Sequence, residues 1–128
     1  MPCVRIATGT WAAGSEMKLT EAVQSALVAA FRILERDREV VIDLYDENRR
    51  IVSAGHSERY TRVEIVGIAA RSLEAKRALF KAIADNLQAV GVPRREMRIF
   101  LIEPPAENWG VGGGLLASEV DMGFKIDV

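Results

Sequence analysis

The chain carries the same helix-and-strand pattern twice, and this repeat restricts its fold more than any other feature. In the first copy, Lys18 to Phe31 places Leu19, Ala22, Val23, Ala26, Leu27 and Ala30 at helical spacing, one stripe of an amphipathic helix. Ser15 stands where the N-cap of that helix belongs. The β-branched, apolar run Val40-Val41-Ile42-Asp43-Leu44-Tyr45 follows and reads as a strand. The second copy lies about 60 residues further on. There Leu79, Ala82, Ile83, Leu87 and Val90 match Leu19, Ala22, Val23, Leu27 and Ala30, while Leu101 and Ile102 match Val41 and Ile42. Ser72 is the expected cap of the second helix, Gly91 its end, and Pro93 stops it from continuing. A short apolar segment precedes each helix, Val4 to Ala7 in one copy and Val63 to Ile68 in the other.

Each copy is therefore a β-α-β unit, in which a crossover helix joins two parallel strands and lies on one face of them. Two fused units predict an α+β fold: a four-stranded mixed sheet with both helices on the same face. With 128 residues there is room for one core, so residues 1–128 are read as a single domain divided at roughly 1–58 and 59–128. The runs Val40 to Tyr45, Val63 to Ile68 and Ile99 to Ile102 are nearly continuous in apolar residues, as in sheets buried on both faces. No third helix is available for the second face, so the expectation is that another copy of the chain covers it. Alternation of Met122, Phe124, Ile126 and Val128 with polar residues and glycine predicts a short C-terminal strand.

Composition narrows the functional classes. Seventeen Lys and Arg against 18 Asp and Glu leave a net charge of -1, without the field of a general nucleic-acid binder. One cysteine and one histidine provide neither an intramolecular disulfide nor enough Cys/His ligands for zinc, and no metal or organic cofactor is expected. No apolar run approaches the roughly 18–20 residues of a membrane span. There is also no basic-then-apolar leader at the start, so the expectation is a cytoplasmic protein.

Several residues invite chemistry. Removal of the initiator methionine would expose Pro2 as a secondary amine, and a chain-terminal amine titrates near pH 8 before burial lowers it. Retained methionine would make that nitrogen an amide. Arg71, directly before Ser72 at the helix start, is placed to grip a carboxylate, or else is a solvated arginine at a strand end. Arg36-Asp37-Arg38 forms a charged turn between the first helix and second strand. The stretch Trp109-Gly110-Val111-Gly112-Gly113-Gly114 lacks the Lys-Ser/Thr ending of a phosphate loop, and reads as a flexible loop holding Trp109 over a pocket or against the core. His56 beside Ser57 does not make a catalytic pair, because neighbours in sequence lack the required geometry. Cys3 reads as a small buried residue.

Pro2 before a strand, the doubled β-α-β unit and the expected self-association resemble the tautomerase superfamily, which includes 4-oxalocrotonate tautomerase, macrophage migration inhibitory factor and malonate semialdehyde decarboxylase. The resemblance is to long-chain members with two fused units per chain and three chains per trimer. It is most specific in Ala70-Arg71-Ser72-Leu73-Glu74-Ala75-Lys76, in Gly91-Val92-Pro93, and from Ile102-Glu103 through Asn108-Trp109-Gly110. It implies Pro2 as the catalytic amine, Arg71 as carboxylate anchor, Asp37 as the residue orienting water, and Trp109 as a pocket wall. Two positions depart from the pattern of the decarboxylase branch. Ala69 stands where a second arginine is found, and Leu34 replaces a proline; Arg36 or Arg38 would have to supply the missing charge. The expected function is tautomerisation of a small 2-oxo acid by a cofactor-independent homotrimer. Decarboxylation of a 3-oxo acid and a non-catalytic trimeric binding protein are the alternatives.

Overall fold

The computed structural model describes residues 2–123 and 127–128. Two helices cover one face of a four-stranded sheet: β1 (Cys3–Gly9), α1 (Glu16–Phe31), β2 (Val40–Tyr45), β3 (Thr61–Val66), α2 (Leu73–Val90) and β4 (Met97–Ile102). A two-stranded hairpin, β5 (Gly110–Val111) and β6 (Leu115–Leu116), follows. The sheet order is β2-β1-β3-β4, with parallel outer pairs and an antiparallel central pair. The repeat survives in the register. Val4 faces Val40 and Thr61 faces Met97, the same separation along the chain in both halves.

Both helices bury the stripe expected of them. Leu19, Val23 and Leu27 of α1 and Leu79, Ile83 and Leu87 of α2 are fully enclosed above Ile6, Val63 and Ile65. Each such side chain contributes about 1.5–3 kcal/mol on leaving water. The two helices also share a polar tie, since Asn86 Nδ2 donates to the Ala22 carbonyl at 2.9 Å. Ser72 caps α2 by accepting from Ala75 N–H, and Gly91 ends it at φ 117°. Ser15 occupies the N-cap position of α1 but its hydroxyl makes no capping bond; α1 instead closes at its other end on left-handed Arg32.

Two expectations need correction. Within this one chain the strands alternate: Val4, Ile6, Val63 and Ile65 point to the helices, while Arg5, Asp43, Arg62, Glu64 and Arg98 lie on the opposite face. That face carries its own pairings, Arg5 Nε to Asp43 Oδ2 at 2.9 Å and Arg62 stacked 4.4 Å over Phe100. The apolar runs contain Asp43 and Glu64 at the positions that point away from the helices, so the sequence runs overstated the second face. The glycine run is not a flexible loop but a hairpin turn, because Gly112, Gly113 and Gly114 take φ of 51°, 84° and 104°, values that side chains resist. The C-terminal strand expected around Phe124 and Ile126 lies outside the described residues. No helix among those described is long and apolar enough to cross a membrane.

Candidate functional site

The strand directions gather four loop segments at one end of the sheet. β1 and β2 begin there, and β3 and β4 finish there, with Cys3 beside Val66 and Val66 beside Ile102. Pro2, the 37–39 turn, the 67–72 loop and the 103–109 segment therefore converge. This end holds every residue expected to act: Pro2, Asp37, Arg71 and Trp109.

Pro2 is buried directly ahead of β1. Its ring lies against Gly67, where an added Cβ would stand 3.7 Å from the proline Cβ. Gly67 is itself fixed by its N–H bond to the Ile102 carbonyl at 2.9 Å. Asp37 is held by two main-chain bonds. Its N–H donates to the Leu34 carbonyl at 2.9 Å, and its carbonyl accepts from Gln24 Nε2 at 3.3 Å. The same turn reaches β1, where Val4 N–H donates to the Glu39 carbonyl and the Cys3 thiol donates to Glu39 Oε2 at 3.1 Å. Burial first, then the bond to Glu39, pushes the Cys3 thiol up to about 11. A thiol so raised stays protonated near neutrality, which disposes of a thiolate nucleophile.

Arg71 is the most unusual side chain at this end. It is only 7% exposed, yet among the described residues its one hydrogen bond runs from Nη1 to the Ile68 carbonyl at 3.2 Å. Its Nε is buried without a partner. The guanidinium sits 4.8 Å over the ring of Phe31, the last residue of α1. Burial makes the charged form less favourable, and the nearby carboxylate of Glu103 offsets part of that effect. Unsatisfied buried donors are uncommon and costly, so this one is suited to an incoming acceptor. Ala70, directly before it, holds φ at 155°, a conformation that side chains seldom adopt.

Trp109 is joined to the same loop through Pro104. The Pro104 carbonyl accepts from the Trp109 indole N–H at 3.2 Å and from Ala69 N–H at 3.1 Å. The tryptophan is half-buried, so it belongs to the wall of this end rather than to the core. Among the described residues, neither arginine of the 36–38 turn is seen to replace the missing cation. Arg38 is engaged by Glu21 of α1, and Arg36 is exposed on the turn.

Sequence reasoning missed four contributors: Gln24, Phe31, Lys76 and Glu103. Gln24 is a polar residue inside an apolar stripe, 2% exposed, and that misfit was the available signal. Lys76 and Glu103 stand 2.6 Å apart and link α2 to the segment after β4, a pairing that spacing along the chain does not reveal. The opposite end of the sheet contains a cavity of about 550 Å3 lined by Tyr45, Asp46, Arg50 and His56 among others. Several of its polar groups are engaged within the chain, while His56 Nδ1 is buried with no hydrogen-bond partner among the described residues. Arg50 donates to the Tyr60 and Glu58 carbonyls, Ser57 N–H donates to Glu96, and His56 Nδ1 lies 3.6 Å from Glu96.

A family model described as tautomerase enzyme matches residues 37–112. A probable tautomerase of Ralstonia nicotianae is 36% identical over 52 residues, which span 40% of this chain and 74% of the relative. The 2-hydroxymuconate tautomerase of Comamonas testosteroni is 35% identical over 51 residues, 39% of this chain and 81% of that protein. Among solved structures, a malonate semialdehyde decarboxylase inhibited by 3-bromopropiolate superposes with a TM-score of 0.78 at 26% identity, covering 91% of this chain and 92% of the other. Native fused 4-OT superposes with a TM-score of 0.81 at 17% identity, covering 95% and 99%, a likeness of fold.

Proposed function

Since this chain belongs to the tautomerase family, we propose that it tautomerises a small 2-oxo acid as a homotrimer, using Pro2 as the base and no cofactor. The carrying observation is the pairing of a buried Pro2 with a buried guanidinium whose Nε lacks a partner, both at one end of the sheet. Arg71 binds the substrate carboxylate and supplies the donor that its own chain leaves unused. After loss of Met1 the Pro2 nitrogen is a secondary amine, and it takes the proton from the enol hydroxyl or the acidic carbon. It then returns that proton to a carbon of the same conjugated system, so the substrate is isomerised with no net change in atoms. Trp109 shields the site, which strengthens the ionic contact and keeps the amine unprotonated. The trimer follows from the fused 4-OT relatives, which are described as trimers.

Decarboxylation is the second reading, favoured by the 26% identical decarboxylase and by Asp37 in the turn beside β1. In that reaction protonated Pro2 polarises the 3-oxo group, the C–C bond to the carboxylate breaks, carbon dioxide departs, and the enol takes up a proton. Ala69 weakens this reading, since one of two cations in the decarboxylase pattern is missing. Intact mass of the native protein, nitrogen-15 titration of the proline, and paired assays of enol ketonisation and carbon dioxide release test both. A chain that keeps Met1 throughout, or full activity after a one-residue N-terminal extension, would remove the amine mechanism.

A further inference from the structure

Two cations reach the carboxylate-binding end of the sheet, and they are in different states. Lys76, one turn into α2 beyond Arg71, has its Nζ 2.6 Å from Glu103 Oε1, with side chains 30% and 22% exposed. Arg71 forms no ion pair among the described residues and keeps a buried Nε without a partner. Ala69 presents a methyl group where a second guanidinium would stand in the decarboxylase pattern, and Arg38 is held by Glu21. The other ionisable side chains described around this end are the acidic Asp37, Glu39 and Glu103 and the exposed Arg36 of the turn.

We propose that the site accepts acids with a single carboxylate and rejects their dicarboxylate counterparts, with Glu103 as the rejecting group. The inference rests on Arg71 as the anchor of the preceding subsection and narrows the substrate class of that same site. One carboxylate takes the fork of Arg71. A second, at the far end of a conjugated acid, meets a lysine already neutralised and a glutamate of its own sign. Discrimination of this kind comes from the repulsive element as much as from the attractive one. Freeing Lys76 by removing the charge of Glu103 converts the same corner into a second anchor.

The test compares sorbate and trans,trans-muconate, six-carbon dienes with one and two carboxylates, by calorimetric titration of the full chain. Wild type, Glu103→Gln and Ala69→Arg are measured side by side. Wild type is expected to bind sorbate about tenfold or more tightly than muconate, a difference of about 1.4 kcal/mol. Either substitution is expected to narrow that ratio to within about threefold by giving the second carboxylate a cation. Ala69→Arg leaves the Lys76–Glu103 contact in place and serves if Glu103→Gln does not fold. Muconate bound as tightly as sorbate by wild type overturns the proposal, and that is also the result if a neighbouring copy supplies the second cation. An unchanged ratio in the folded variants overturns it as well. Turnover of the 2-hydroxy derivatives separates the two claims: selective binding without turnover removes the catalytic reading alone, and turnover that prefers the diacid removes this inference alone. Failure to bind either acid removes both.

Discussion

Replacing Arg71 with methionine tests whether this residue is kept for ligand or for fold. The substitution loses the bond from Nη1 to the Ile68 carbonyl, worth about 1.5–3 kcal/mol for a charged donor. It also loses the guanidinium stacked 4.8 Å over Phe31, worth about 1–2 kcal/mol. Against this, it removes a buried Nε that has no partner, a defect of about 1–3 kcal/mol. It further relieves a charge whose burial is unmatched by any ion pair among the described residues, and an ion in that position costs several kcal/mol. The methionine chain fills the same space and meets the Phe31 ring through sulfur. Losses and gains are of similar size, so the variant is expected to unfold within about 1 kcal/mol of wild type, a melting shift of about 3–5 °C either way. The second half of the prediction concerns ligand. At one hundred times its Kd, sorbate is expected to stabilise wild type by about 2.7 kcal/mol and the variant hardly at all. The assay is thermal unfolding with and without sorbate at matched protein concentration, because association adds to apparent stability. A loss above about 3 kcal/mol without ligand would show Arg71 to be a structural residue, and equal protection of both proteins would place the carboxylate elsewhere.

Other consequences can be checked on the same preparation. Gly9→Ala puts a Cβ 2.4 Å from the Glu58 carbonyl, so it is expected to cost about 1–3 kcal/mol in denaturant unfolding; an unchanged midpoint would contradict that approach. The Cys3 thiolate should form with a midpoint near 11 by ultraviolet titration, and Glu39→Gln should move it downward by removing a neighbouring negative charge. Because the folded thiol holds its proton longer than the unfolded one, stability from this group is intact below the ordinary thiol value of 9.0 and declines as pH rises through 11. Leu115 and Leu116 are exposed at 56% and 40%, and changing both to serine is expected to weaken the proposed trimer in sedimentation; an unaltered mass would exclude the β5–β6 hairpin from the interface.

The helices and strands were legible because each apolar stripe in the chain is also the stripe that the core requires. Leu19, Val23 and Leu27 recur as Leu79, Ile83 and Leu87, and both sets are fully buried. The gathering of the four candidate residues at one end has a different reason: each lies outside a strand, and a doubled β-α-β unit brings those loops together. What stayed hidden depends on side-chain direction. Asp43 and Glu64 sit within apolar runs, and only the observed pleat shows them on the open face, paired to Arg5 and Arg62. Glu103 was visible as part of a matching segment, yet its tie to Lys76 spans from β4 to α2 and has no local signature. The silent N-cap of α1 has the same origin, since Ser15 occupies the right position without the extended backbone of Ser72 that aims a hydroxyl at the helix.

The repeat also explains why the two ends of the sheet differ in chemistry. Their layouts correspond: Arg71 packs on Phe31 at the end of α1, and at the other end Arg59 stacks on Trp11 and donates to the Gly91 carbonyl at the end of α2. The contents do not correspond. Gly67 makes room for the Pro2 ring, whereas Gly9 makes room for the main-chain carbonyl of Glu58. Trp11 is tied down by its indole N–H to Thr8, whose hydroxyl in turn pairs with that of Thr61. Arg59 stacks on tryptophan and donates from Nη1 to a helix-end carbonyl, and unlike Arg71 it is not among the described side chains that leave a buried nitrogen unpartnered. The equivalent of Pro2 at that end falls within continuous peptide, where nitrogen is an amide and has no basic lone pair. If Pro2 is the terminal amine proposed above, amine chemistry and carboxylate capture coincide at one end alone, and one reaction centre per chain is expected.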